Sequence, residues 1–149
     1  MLATQMNSRL RRVFHWLYLL AVAAVVVGVL LQAFSIAAYV RGAGDGALDM
    51  HETVGFITHS IEIIALLVAL VGWGMWRRVG VVLLLPVIGT IQVFVIGDTD
   101  ERGGWVNGLH GLLALVVLLL AAYLTLDASR AVWGPGPMRT STTRERIGP

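Results

Sequence analysis

Four stretches of this chain are almost free of charge, and each is long enough to cross a lipid bilayer. Residues 13–40, 79–97 and 103–126 contain no Asp, Glu, Lys or Arg, and residues 53–76 contain one such residue, Glu62. A helix rises about 1.5 Å per residue, so a hydrocarbon core of about 30 Å takes about 20 apolar residues. The spacing therefore predicts an all-α protein, a four-transmembrane-helix antiparallel bundle in contact with the lipid bilayer. Composition agrees: 57% of residues are hydrophobic and 13% charged, against about a quarter charged in soluble domains. Gly28, Gly72, Pro86 and Gly89 fall inside these runs, as is common in lipid-embedded helices. The first run follows Arg9, Arg11 and Arg12 like a leader peptide. It is far longer than the ~7–15 apolar residues of a cleaved leader, so an uncleaved first helix is expected.

Charge is segregated along the chain. Arg9, Arg11 and Arg12 precede the first run, Arg77 and Arg78 separate the second from the third, and Arg130, Arg139, Arg144 and Arg146 follow the fourth. The other two loops are acidic, with Asp45, Asp49 and Glu52 in one and Asp98, Asp100 and Glu101 in the other. The excess of Arg predicts cytoplasmic termini and outward-facing acidic loops in a bacterial plasma membrane. Three segments follow: a cytoplasmic N-terminal segment 1–12, a membrane domain 13–130, and a flexible cytoplasmic tail 131–149 rich in Gly, Pro, Ser, Thr and Arg. The basic residues are eleven Arg, the net charge is only +2, and they form no patch, so no nucleic-acid partner is expected. The chain has no Cys, which removes thiolate metal sites, iron–sulfur clusters, disulfides and covalent haem attachment.

The two helix pairs read as copies of one another. Gln32 and Phe34 end the first apolar run as Gln92 and Phe94 end the third, and His51 follows Gln32 by 19 residues where His110 follows Gln92 by 18. A repeated helix pair in parallel orientation would place His51 and His110 at equal depth near the outer surface. Two neutral imidazoles on facing helices are what the axial positions of an iron porphyrin require. Gly55, one turn below His51, and Gly111, beside His110, offer space for a flat ring. Asp49 with Glu52 has the spacing of a capping box and places the start of the second helix just before His51. Both carboxylates are also candidates to hold the imidazole protons. The plainer alternative is that each His sits hydrated in the interfacial zone.

His59 and Glu62 lie within the second run, three residues apart and on one helix face. An ionisable group at that depth is costly unless paired or neutral. The pair is either part of a proton path or a partner to a bound cofactor, or it is a polar stitch between helices. Gln32 and Gln92 either bond between helices or approach a bound ring. His15, beside Trp16 and Tyr18, belongs to the aromatic belt at the inner interface.

A His followed by Gly at the outer start of helix two (His51, Gly55), a Gln in helix three (Gln92) and a His at the outer start of helix four (His110) resemble one half of haem A synthase. The Asp49, His51, Gly55 spacing also resembles that of short four-helix membrane proteins of actinobacteria. The resemblance spans roughly residues 13–126 and implies a b-type haem held by His51 and His110. The family's second His pair is absent here. Its catalytic outer-loop Glu has Glu52 or Asp49 as nearest counterparts, in a local sequence that does not match. A homo-oligomer would supply the missing half. Three functions follow: a b-type haem protein in electron transfer or haem handling, an accessory subunit of a larger respiratory or transport membrane complex, and a small proton-coupled carrier using His59 and Glu62.

Overall fold

The computed structural model describes residues 8–73, 76–96 and 104–134. Among these, four helices follow in order: α1 (Ser8–Val40), α2 (Asp45–Trp73), α3 (Trp76–Thr90), which continues as a π-helical turn over Ile91–Ile96, and α4 (Gly104–Trp133). All four are long and apolar enough to cross a membrane, and none of the described residues is in a strand. The chain is a multi-pass, all-α membrane protein. Its helices form an antiparallel four-helix bundle in which α1 and α3 each pack against both α2 and α4. Among the described residues the α1/α3 and α2/α4 pairs stand on the bundle's diagonals and make no backbone contact.

The interior is built from modest side chains: Val22 and Val25 on α1, Ala65 and Ala69 on α2, Val82 and Leu85 on α3, and Val117 and Ala121 on α4. Small residues let helix backbones approach closely, which is the main source of attraction between helices in lipid. The outward faces are equally apolar, with Leu30, Leu67, Leu119 and Leu126 exposed. Such a surface suits acyl chains and not water.

One end of the bundle carries the start of α1 and the end of α4. There Trp16 of α1 meets Trp133 of α4 edge-to-face at 5.1 Å, and Arg78 of α3 pairs with Asp127 of α4 at 3.3 Å. At the other end α1 hands over to α2 through a tight glycine turn. Gly42 has a φ of 89°, and the amides of Ala43 and Gly42 bond back to Ala38 and Tyr39. This is a Schellman C-cap, and its left-handed residue is glycine because a Cβ there is strained.

That turn corrects the expected start of α2. The helix begins at Asp45, immediately after Gly44, and not at Asp49. Asp45 sets a carboxylate in the first turn, where the helix dipole favours it. Asp49 and Glu52 are exposed residues within the helix, so no capping box forms, and His51 lies in the second turn. α1 starts at Ser8, within the segment 1–12, and α4 runs to Trp133, within the segment 131–149. The acidic segment 98–103 and the remainder of the tail lie outside the described residues.

Candidate functional site

His51 and His110 meet across the α2/α4 diagonal. Both lie six residues into their helices, which begin at Asp45 and Gly104, so the two are matched in depth. Their ring centroids are 6.1 Å apart and the rings are inclined by 59°. His51 Nδ1 donates to the backbone carbonyl of Gln32 at 3.0 Å. That bond fixes the ring's orientation and leaves the Nε2 lone pair free to bind a ligand. On the other side, Gln92 Nε2 donates to the backbone carbonyl of His110 at 3.1 Å. Each Gln therefore touches the His of its own helix pair, but through different atoms. His110 Nδ1 is buried and has no hydrogen-bond partner among the described residues.

The flanking glycines differ from one another. A Cβ on Gly55 would lie 3.6 Å from Gln32 Oε1, whereas a Cβ on Gly111 or Gly108 would meet nothing within 4 Å. Gly55 thus gives room to the Gln32 amide, and Gly111 borders open space. Asp49 and Glu52 are exposed, and the proton of His51 is held by the Gln32 carbonyl instead of either carboxylate.

A second polar cluster lies deeper, about 12 Å from His51 along α2. His59 Nδ1 and Glu62 Oε2 are 3.1 Å apart, both residues buried. Thr90 Oγ1 donates to the Pro86 carbonyl at 2.7 Å and stands 3.4 Å from His59 Nε2. The hydroxyl proton is thereby spent on Pro86, so Thr90 accepts and His59 Nε2 carries a proton. One further proton then lies between His59 Nδ1 and Glu62, and the pair is neutral overall whichever atom holds it. The ring of Phe94 caps His59 edge-on at 6.0 Å.

Gly89 makes this cluster possible. A Cβ there would collide with Glu62 Oε2 and lie 2.6 Å from His59 Nδ1. Neither Gly89 nor Thr90 stood out in the sequence. Their one signal is a Gly-Thr pair on a helix that follows a span with a buried acid. Gly28 plays a similar part between α1 and α2, where a Cβ would collide with Thr58 Oγ1. His15 sits near the start of α1, at the opposite end of the bundle from His51. Among the described residues no group of three or more His, Cys, Asp or Glu is placed to hold a metal ion. No family model matches the chain, and neither does any curated protein or solved structure.

Proposed function

We propose that this chain is an integral membrane b-type haem protein acting in electron transfer or haem handling, with His51 and His110 as the two axial ligands. The observation that carries the reading is the meeting of two imidazoles from diagonal helices at 6.1 Å. Two imidazoles bound on opposite sides of one metal, with bonds of about 2.0 Å each, hold their centroids about 6 Å apart. The donor set fits as well. Two nitrogens are too few to hold a bare metal ion, but they suffice when a macrocycle supplies the other four donors. The buried and unpartnered His110 Nδ1 is a polar atom that calls for a partner.

A haem bound there supplies a one-electron iron couple. The chain's residues decide how it is used. His51 and His110 would both hold the iron, and with both bound the group would serve electron transfer better than oxygen chemistry. The Gln32 carbonyl, by accepting the His51 Nδ1 proton, holds that ring neutral and aimed. The distribution of Arg supports cytoplasmic termini in a bacterial plasma membrane and a haem near the outer face. The match between Gln32/His51 and Gln92/His110 supports a duplicated helix pair, and a homo-oligomer would double the site.

The test is the absorption spectrum of the protein purified from haem-replete cells. The expected result is a Soret band that His51→Ala and His110→Ala each weaken or abolish and that His15→Ala retains. A wild-type protein without Soret absorption after added haem would overturn the reading. Co-purification with a large partner would then favour the accessory subunit. The buried His59–Glu62 pair favours the proton-coupled carrier, which predicts substrate-dependent proton movement in liposomes.

A further inference from the structure

We infer that the His59–Glu62 pair is a proton-binding site coupled to the His51–His110 site, its proton affinity rising about tenfold when one electron is held there. This deepens the haem reading above and rests on it. The first support is isolation. On α1 no titratable residue lies between Tyr18 and Tyr39, on α3 and its π-helical continuation none lies after Arg78, and on α4 none lies between His110 and Tyr123. On α2 none follows Glu62. The cluster is otherwise bordered by Gly89, Thr90 and Phe94. Toward the outer end of α2 the nearest ionisable groups are Glu52, which is exposed, and then His51, while Tyr18 and Tyr123 lie toward the other end of the bundle.

The second support is the proton count. With Nε2 protonated and one proton shared between Nδ1 and Oε2, the pair is neutral and has one vacant acceptor. An added proton gives an imidazolium beside a neutral carboxyl, whichever atom held the shared proton before. The balance is simple. Were one electron from an external donor held at the His51–His110 site, the pair would draw up to about half a proton from bulk solvent, as a tenfold rise in affinity allows, and the two added charges would partly offset one another. Reoxidation returns both.

The third support is the seat. Gly89 brings the α3 backbone so close to Glu62 and His59 that no side chain fits between them. A charge placed there is poorly screened. At about 12 Å and an effective dielectric constant of about 20, one electron changes proton affinity about tenfold. For a one-electron couple a tenfold coupling is read as about 59 mV.

The experiment is a spectroelectrochemical titration of the full-length haem-loaded protein in detergent, from about pH 5 to about pH 9. The expected result is a midpoint potential that falls by about 59 mV across the range in which the pair titrates. The double variant His59→Gln/Glu62→Gln, which leaves neither proton acceptor, loses that fall while its Soret and low-spin bands stay unchanged. Where it does not fold, His59→Asn/Glu62→Gln gives the same reading. Proton uptake on reduction, followed with an indicator dye in weak buffer, is expected in wild type and in the exposed variant Ser60→Ala but not in the double variant. A wild-type potential independent of pH, or an equal dependence in the double variant, would overturn the coupling and leave the haem reading standing. A protein that binds no haem overturns both.

Discussion

Glycine has opposite consequences at two places in this bundle. At Gly89 the missing Cβ is the space that Glu62 Oε2 and His59 Nδ1 occupy, whereas at Gly111 nothing lies within 4 Å of where a Cβ would stand. Gly89→Ala is therefore expected to destabilise the protein by about 1–3 kcal/mol, the usual cost of overpacking a filled interior. Gly111→Ala is expected to be neutral or to gain up to about 1 kcal/mol from helix propensity. Unfolding in mixed micelles with increasing SDS compares the two, and equal midpoints for both variants would contradict the packing at Gly89. The sequence pointed to Gly55 and Gly111 and passed over Gly89. In a soluble helix an apolar stripe tells which residues face inward, but these helices are apolar on every side and their rotation about the axis is not written in the pattern. His51, His110, His59 and Glu62 were legible because polar groups are rare in lipid and rarely face it. Their partners were not, since the Gln32 carbonyl belongs to the backbone and Thr90 is an ordinary helix residue.

Elements are joined by different means at the two ends. At the end with the start of α1, Arg78 and Asp127 are 40% and 31% exposed. Water screens such a pair, so Asp127→Asn is expected to cost less than about 1 kcal/mol, and less again at high salt. A larger loss in the same SDS titration would show the pair to be better shielded than its exposure indicates. At the opposite end the α1–α2 turn depends on backbone conformation. With φ at 89°, Gly42→Ala is expected to cost about 1–2 kcal/mol from strain alone, even though a Cβ there meets nothing within 4 Å. An unchanged midpoint for that variant would contradict the left-handed turn. The number and order of the helices followed from counting charge-free residues. The start of α2 did not, because two turn glycines outweighed a capping-box spacing that lies within the helix. The π-helical turn over Ile91–Ile96 was equally hidden. It follows Pro86, which lacks an amide, and Thr90, whose hydroxyl takes the Pro86 carbonyl, but neither residue specifies the wider turn by itself.

At the scale of the molecule, the imidazoles of His51 and His110 meet between the diagonal helices α2 and α4. The Trp16–Trp133 contact sets the start of α1 and the end of α4 at one end of the bundle, and the proposed orientation puts that end in the cytoplasm on the Arg distribution. A C-terminal reporter that is active only in the cytoplasm is the expected outcome, and one active only outside the membrane would contradict the assignment. The central claim is that His51 and His110 together bind one iron. Electron paramagnetic resonance of the oxidised, haem-loaded protein tests it most directly, because the spin state reports how many strong axial ligands the iron has. A low-spin signal is expected in wild type and in His15→Ala, and its replacement by a high-spin signal, or loss of the haem, in both His51→Ala and His110→Ala. A high-spin wild type, or a low-spin signal that survives either substitution, would contradict it.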